Sequence, residues 1–121
     1  QTTTNSAAAT EMSIDNAGTV FLQAIAAGEA WLIEAHVVAR GTAGTNVDKS
    51  AAYIVQALIQ RTGTTTALVS TANQALVRED IVGWDVTIDA DDTNDRARVM
   101  VTGDAATTIK WVGWVDMVKA S

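Results

Sequence analysis

Trp84-Asp85-Val86-Thr87-Ile88-Asp89-Ala90 and Arg96-Ala97-Arg98-Val99-Met100-Val101-Thr102, with Asp91-Asp92-Thr93-Asn94-Asp95 between them, decide how this chain is read. Apolar side chains fall at 84, 86, 88 and 90, then at 97, 99 and 101. A period of two puts them on one face only if the backbone is extended, because successive side chains of a strand point to opposite sides. Asp85, Thr87 and Asp89, then Arg96, Arg98 and Thr102, are left for water. Five consecutive turn-forming or polar residues make the natural tip. The stretch predicts an antiparallel hairpin with Trp84 and Val99 on its inner face.

Working outward, the same alternation recurs. Downstream, Gly103–Ala106 predicts a turn into a last strand, Thr107–Lys119. Its core face would carry Ile109, Trp111, Val115 and Met117, yet Val112, Trp114 and Val118 make the opposite face nearly as apolar. A strand apolar on both sides is covered on both sides. One small sandwich has one interior, so Val112, Trp114 and Val118 are expected at a subunit interface. Upstream, Ala30–Arg40 alternates with Trp31, Ile33, Ala35, Val37 and Ala39 inward and Glu34, His36 and Arg40 outward. Gly41–Asp48 reads as a loop of Gly, Thr and Asn. Ser50–Arg61 contains good helix formers, but Tyr53, Ile54, Val55 and Ile59 favour a strand. Thr62-Gly63-Thr64 then reads as a hairpin into Thr65–Ser70. Thr19–Ile25 is expected as a short strand after the turn Asp15-Asn16-Ala17-Gly18. Residues 1–10, a run of Thr, Ala, Ser and Asn, are expected as an extended arm ordered by a partner. Residues 11–121 then form a single all-β domain, an antiparallel β-sandwich of jelly-roll or Greek-key type with about eight or nine strands.

Composition narrows the function classes. The 121 residues are 48% apolar and 18% charged, a globular balance. With no cysteine there are no disulfides, thiol nucleophiles or thiolate metal sites. The net charge is −6, and seven of the fourteen acidic residues lie between Glu79 and Asp95 with no basic residue among them. Such a surface repels phosphate backbones and anionic lipid heads, so neither nucleic acid nor membrane insertion is expected. No apolar run approaches the ~18 residues of a membrane-spanning helix.

Catalytic signals are sparse, and no catalytic residue, metal ligand or cofactor is expected. His36 is the only histidine, and its strand neighbours Glu34 and Arg40 suit a solvated or edge-paired imidazole. Neither Gly-x-Ser-x-Gly nor His-Glu-x-x-His occurs. The acidic turn Asp89–Asp95 clusters oxygens as calcium requires, but it has no glycine at the sixth position of a calcium loop and Met100 at the twelfth. Glu79, Asp80 and Asp85 resemble a glycosidase carboxylate pair only in residue type. Trp31, Trp84 and Trp111 fall on the core face. Trp114 falls on the other, where it serves an interface or a ligand platform.

In the order of its pieces, the run from Trp31 to Lys119 resembles the small β-sandwich domains of tailed-phage virion appendages: tail fibres, head fibres and capsid decorations. Those pieces are Trp31–Arg40, Ala51–Ile54 with Arg61–Thr64, Gly83–Val86, and Val101–Gly103 with Thr107–Val112. The resemblance implies an antiparallel sandwich, often a homotrimer, with no catalytic residues to carry over. The expectation is therefore a non-catalytic structural protein of the virion that self-associates as a trimer and attaches to the capsid or tail through its N-terminal arm. The alternative is a carbohydrate- or receptor-binding module for a host-surface glycan, with Trp114 or the loop Gly41–Asp48 as its ligand surface.

Overall fold

The hairpin that opened the sequence is present in the computed structural model, which describes residues 1–15 and 17–121. Nine strands are described, and no helix is found among the described residues: β1 (Thr2–Thr4), β2 (Thr10–Glu11), β3 (Ala30–Gly44), β4 (Ser50–Thr62), β5 (Thr65–Leu68), β6 (Asn73–Glu79), β7 (Asp85–Asp91), β8 (Arg96–Thr102) and β9 (Thr107–Ala120). All pairings between them are antiparallel. The larger sheet runs β1-β9-β3-β4-β5, with β6 also on β4, and the smaller runs β2-β8-β7. β5 pairs the end of β4 from Ile59 to Thr62 and β6 its start from Ala51 to Gln56, so one edge is shared by two short strands. The result is an antiparallel β-sandwich.

Alternation sets the core. Trp31, Ile33, Ala35, Val37 and Ala39 of β3, with Ala51, Tyr53, Val55, Ala57 and Ile59 of β4, are buried against Val86, Ile88, Ala97, Val99 and Val101 of the smaller sheet. Trp84 stands one residue before β7 and still points inward, its ring 6.0 Å from that of Trp111 and tilted by 57°. Apolar area removed from water at ~25 cal/mol per Å² is the main stabilising contribution. β3 carries a register irregularity between Gly41 and Ala43 where it meets β9. At Gly44 the backbone has φ +92°, and an added Cβ would lie 2.1 Å from the Ala106 carbonyl oxygen, so only glycine fits.

Several expectations are corrected. Residues 1–10 are extended but need no outside partner: Thr2–Thr4 pairs with Ile109–Trp111, and Thr10–Glu11 pairs with Met100–Val101. The reason is hydrogen bonding rather than hydropathy, since the indole N–H of Trp111 donates to the buried Thr4 hydroxyl at 2.9 Å. Thr19–Ile25 is not a strand. Its apolar residues act as separate anchors, with Ile25 buried and donating its amide to the Asp95 carbonyl, and Phe21 under the Arg96 guanidinium. In the turn before it Asn16 lies outside the described residues, and the Asp15 carboxylate accepts from the amides of Ala17 and Thr19. The first four residues of the expected loop Gly41–Asp48 continue β3, and β5 ends at Leu68 rather than Ser70. β6 was not expected. On β9 the inner face is covered only in part: Ile109 and Trp111 are buried, Val115 is half-buried and Met117 exposed, because the three-stranded sheet does not extend over that end.

Candidate functional site

Register turns the outer residues of β9 into one end of a broad surface. Cross-strand partners stand ~5 Å apart and share a face, so each pairing extends into a row across the sheet. Val118, Leu32 and Leu58 form one row; Asp116, Glu34, Gln56 and Asn73 the next; then Trp114, His36, Ile54 and Ala75; then Val112, Val38, Ala52 and Arg78; and last Lys110, Arg40 and Ser50. Leu32, Val38, Leu58, Val112, Trp114 and Val118 are all substantially exposed, Trp114 at 53% and Val118 at 69%. Three apolar rows thus lie on the side of the sheet that faces away from the core, with an acidic row between two of them and a basic row at one end.

Local contacts tie neighbouring side chains of this face together. The His36 and Trp114 rings stack at 4.2 Å with 12° between their planes. His36 also hydrogen-bonds Glu34, and Gln56 donates to the other Glu34 oxygen. These bonds, that from Gln56 first, hold the Glu34 carboxyl below its usual range. Glu34 and Asp116 stand directly opposite each other, as do Arg40 and Lys110, and like charges so placed are destabilising. Arg40 is relieved by Asp48 at 2.7 Å. Lys110 and Asp116 form no ion pair or side-chain hydrogen bond among the described residues.

The remaining candidates are not brought together. In the acidic turn, Asp91 accepts from the Thr93 and Asn94 amides and the Asn94 side chain, Asp89 takes Arg98 at 2.7 Å, Asp92 caps the Thr66 amide, and Asp95 pairs with Arg61. No group of three metal-binding side chains converges among the described residues. Glu79 lies 2.9 Å from the Tyr53 hydroxyl, Asp80 caps the Ser50 amide and Asp85 accepts from Gln74, so the three carboxylates have three separate structural partners. The turn at Asn46 is tied to Asp104 and Thr107, beside the start of β9. Trp114 lies seven residues farther along that strand, roughly 24 Å at 3.4 Å per residue, so the two suggested ligand surfaces are separate.

An open cleft of about 320 Å³ lies where the sandwich is uncovered, lined by apolar side chains that include Met12, Leu22, Val37, Val99, Val115 and Met117. Its polar lining residues are Gln1 and Ser13, and the Gln1 amine donates to the Ser13 carbonyl at 2.8 Å. Sequence reasoning placed Val112, Trp114 and Val118 together on the outer face of β9, where they are exposed, but did not group Leu32, Val38, Ile54 and Leu58 with them. The signal was available for Leu32 and Val38, which occupy positions that the β3 alternation assigns to water. No protein-family model matches the chain, and neither a curated protein nor a solved structure is significantly similar to it.

Proposed function

We propose that the chain is a non-catalytic structural domain that works by associating with copies of itself, as a virion appendage domain of the fibre or decoration type. The observation that carries the reading is the exposed apolar face of the larger sheet, with Val112, Trp114 and Val118 at one side and Leu32, Val38 and Leu58 continuing it. Exposed apolar rows of this extent, rimmed and divided by polar residues, fit an interaction site. Virion placement and three-fold assembly come from the family resemblance alone. Within the N-terminal arm, Asn5–Ala9 is the part outside the strands that would attach to a capsid or tail.

Trp114→Asp tests the reading, because a carboxylate buried without a partner costs several kcal/mol. The wild-type chain should sediment as an oligomer, and the variant as a 12.7 kDa monomer with unchanged circular dichroism. An unchanged mass rejects this face as the interface; a lost fold makes Trp114 part of the monomer core. The glycan-binding alternative draws on the half-exposed Trp114 ring beside the polar row Asp116, Glu34 and Gln56. It requires Trp114 fluorescence to respond to sugar in a protein that stays monomeric.

A further inference from the structure

The outer face is patterned along the strands as well as across them. On β9 the outward residues run Lys110, Val112, Trp114, Asp116 and Val118; on β3 they run Arg40, Val38, His36, Glu34 and Leu32, each directly beside its β9 counterpart. A basic row and an acidic row therefore stand at equal distances on either side of a line between the Val112 and Trp114 rows.

We infer that this face binds a second copy of itself, sheet against sheet, about a two-fold axis lying across the strands along that line. The inference rests on the self-association proposed above and fixes its geometry. Such an axis reverses strand direction and keeps each strand over its own counterpart. It sets Lys110 against the second copy's Asp116, Arg40 against its Glu34, Val112 against its Trp114, and Ala52 against its Ile54. Each charge pair occurs twice, so the two like-charged rows that oppose each other within one chain are neutralised between chains. Moving the axis by half a row or a full row either way separates Lys110 from Asp116 and sets one of them on an apolar row.

The size is adequate. Four strands at about 4.8 Å and the four rows that face each other, 110 to 116, at about 6.8 Å outline roughly 19 by 27 Å, or about 1,000 Å² for the pair, with the Val118 row lying beyond them. That is the lower range of specific interfaces. Sheets packed face to face lie about 10 Å apart, within reach of indole and lysine side chains. An isologous contact of this kind joins copies in twos. It replaces the three-fold count implied by the family resemblance with a dimer, or with larger assemblies made of such dimers.

The test is sedimentation velocity with circular dichroism on Lys110→Glu and Asp116→Lys, alone and mixed. Each variant alone should weaken association about tenfold or more, since like charges then meet at both ends of the contact. The equimolar mixture should recover association, because position 110 of each chain then meets an opposite charge at position 116 of the other. Arg40→Glu, on β3 and away from the sheet edge, should weaken association as well. If Trp114→Asp dissociates the protein but the charge variants neither weaken it nor rescue each other, the two-fold register is overturned while self-association stands. If only the β9 variants respond and Arg40→Glu does not, the contact is confined to the β9 side of the sheet and the four-strand face-to-face register is overturned. A wild-type monomer overturns both.

Discussion

Trp84→Ala measures how far the core depends on the junction between the two sheets. Trp84 is 2% exposed, tilts against Trp111 and donates its indole N–H to Asp104 at 2.8 Å. The Tyr53 hydroxyl lies 2.8 Å from its carbonyl. Truncating a buried tryptophan costs about 3–5 kcal/mol, and loss of the tilted aromatic pair adds about 0.5–1.5 kcal/mol. A total of roughly 4–6 kcal/mol is a large part of the 5–15 kcal/mol typical of a domain. At about 2 kcal/mol per molar urea, the unfolding midpoint should fall by about 2–3 M. Urea melts in the Trp114→Asp background would separate this loss from any change in association. Asp85→Ala, one residue along and facing out, removes only an exposed bond from Gln74 and should cost under about 0.5 kcal/mol. Equal costs for the two would refute the assignment of faces, since a slip of one residue exchanges them.

Three further outcomes are expected. The Asp104 carboxyl is held below its ordinary range first by the Trp84 indole N–H, then by Thr107, Asn46 and the Ala106 amide. Its contribution to stability is therefore present above the unfolded carboxylate pKa and lost as pH falls through the depressed folded value. Trp84→Phe should raise that pKa in a carboxyl NMR titration, and an unmoved titration would remove the indole as the cause. Thermal melts with a chelator and with excess calcium should coincide, whereas a rise of more than a few degrees with calcium would make Asp89, Asp91, Asp92 and Asp95 ligands after all. Gly44→Ala should cost about 2–5 kcal/mol in a urea melt, from its left-handed backbone and the overlap with Ala106. Gly63→Ala, at φ +62° in open space, should cost about 1–2 kcal/mol, and a ranking in the other order would refute the contact at Gly44.

What the chain disclosed by itself followed from period two. Trp31–Ala39, Val86–Ile88 and Ala97–Val101 alternate cleanly because one side of each strand meets the core and the other meets water. β6 was illegible because Asn73–Glu79 is exposed along nearly its whole length, so neither face had to be apolar. Thr2 and Thr4 were illegible for the opposite reason: they are buried, but threonine can be held by hydrogen bonds and leaves no hydropathy signal. Thr19–Ile25 misleads because Val20, Phe21 and Ile25 are residue types that suit a strand, whereas Phe21 and Ile25 anchor a crossing segment singly. At the candidate site, a doubly apolar β9 was visible from its own residues. Its extension to Leu32, Leu58 and Ile54 depends on register between strands far apart in sequence, which no single strand reveals.

The position of β9 sets the order in which this protein can be completed as it is made. β9 is the last strand of the chain, yet it sits inside the larger sheet between β1 and β3. A nascent chain emerges N-terminal side first, so β1 leaves the ribosome before β9 and waits for a partner more than a hundred residues away. Until then the long edge of β3 also lacks its neighbour, leaving backbone donors and acceptors open to other chains. Non-local pairing of this kind is slow to close. The hazard during synthesis is therefore concentrated in the interval when β3 to β8 have emerged and residues 107–120 have not, with the sheet still open on one side.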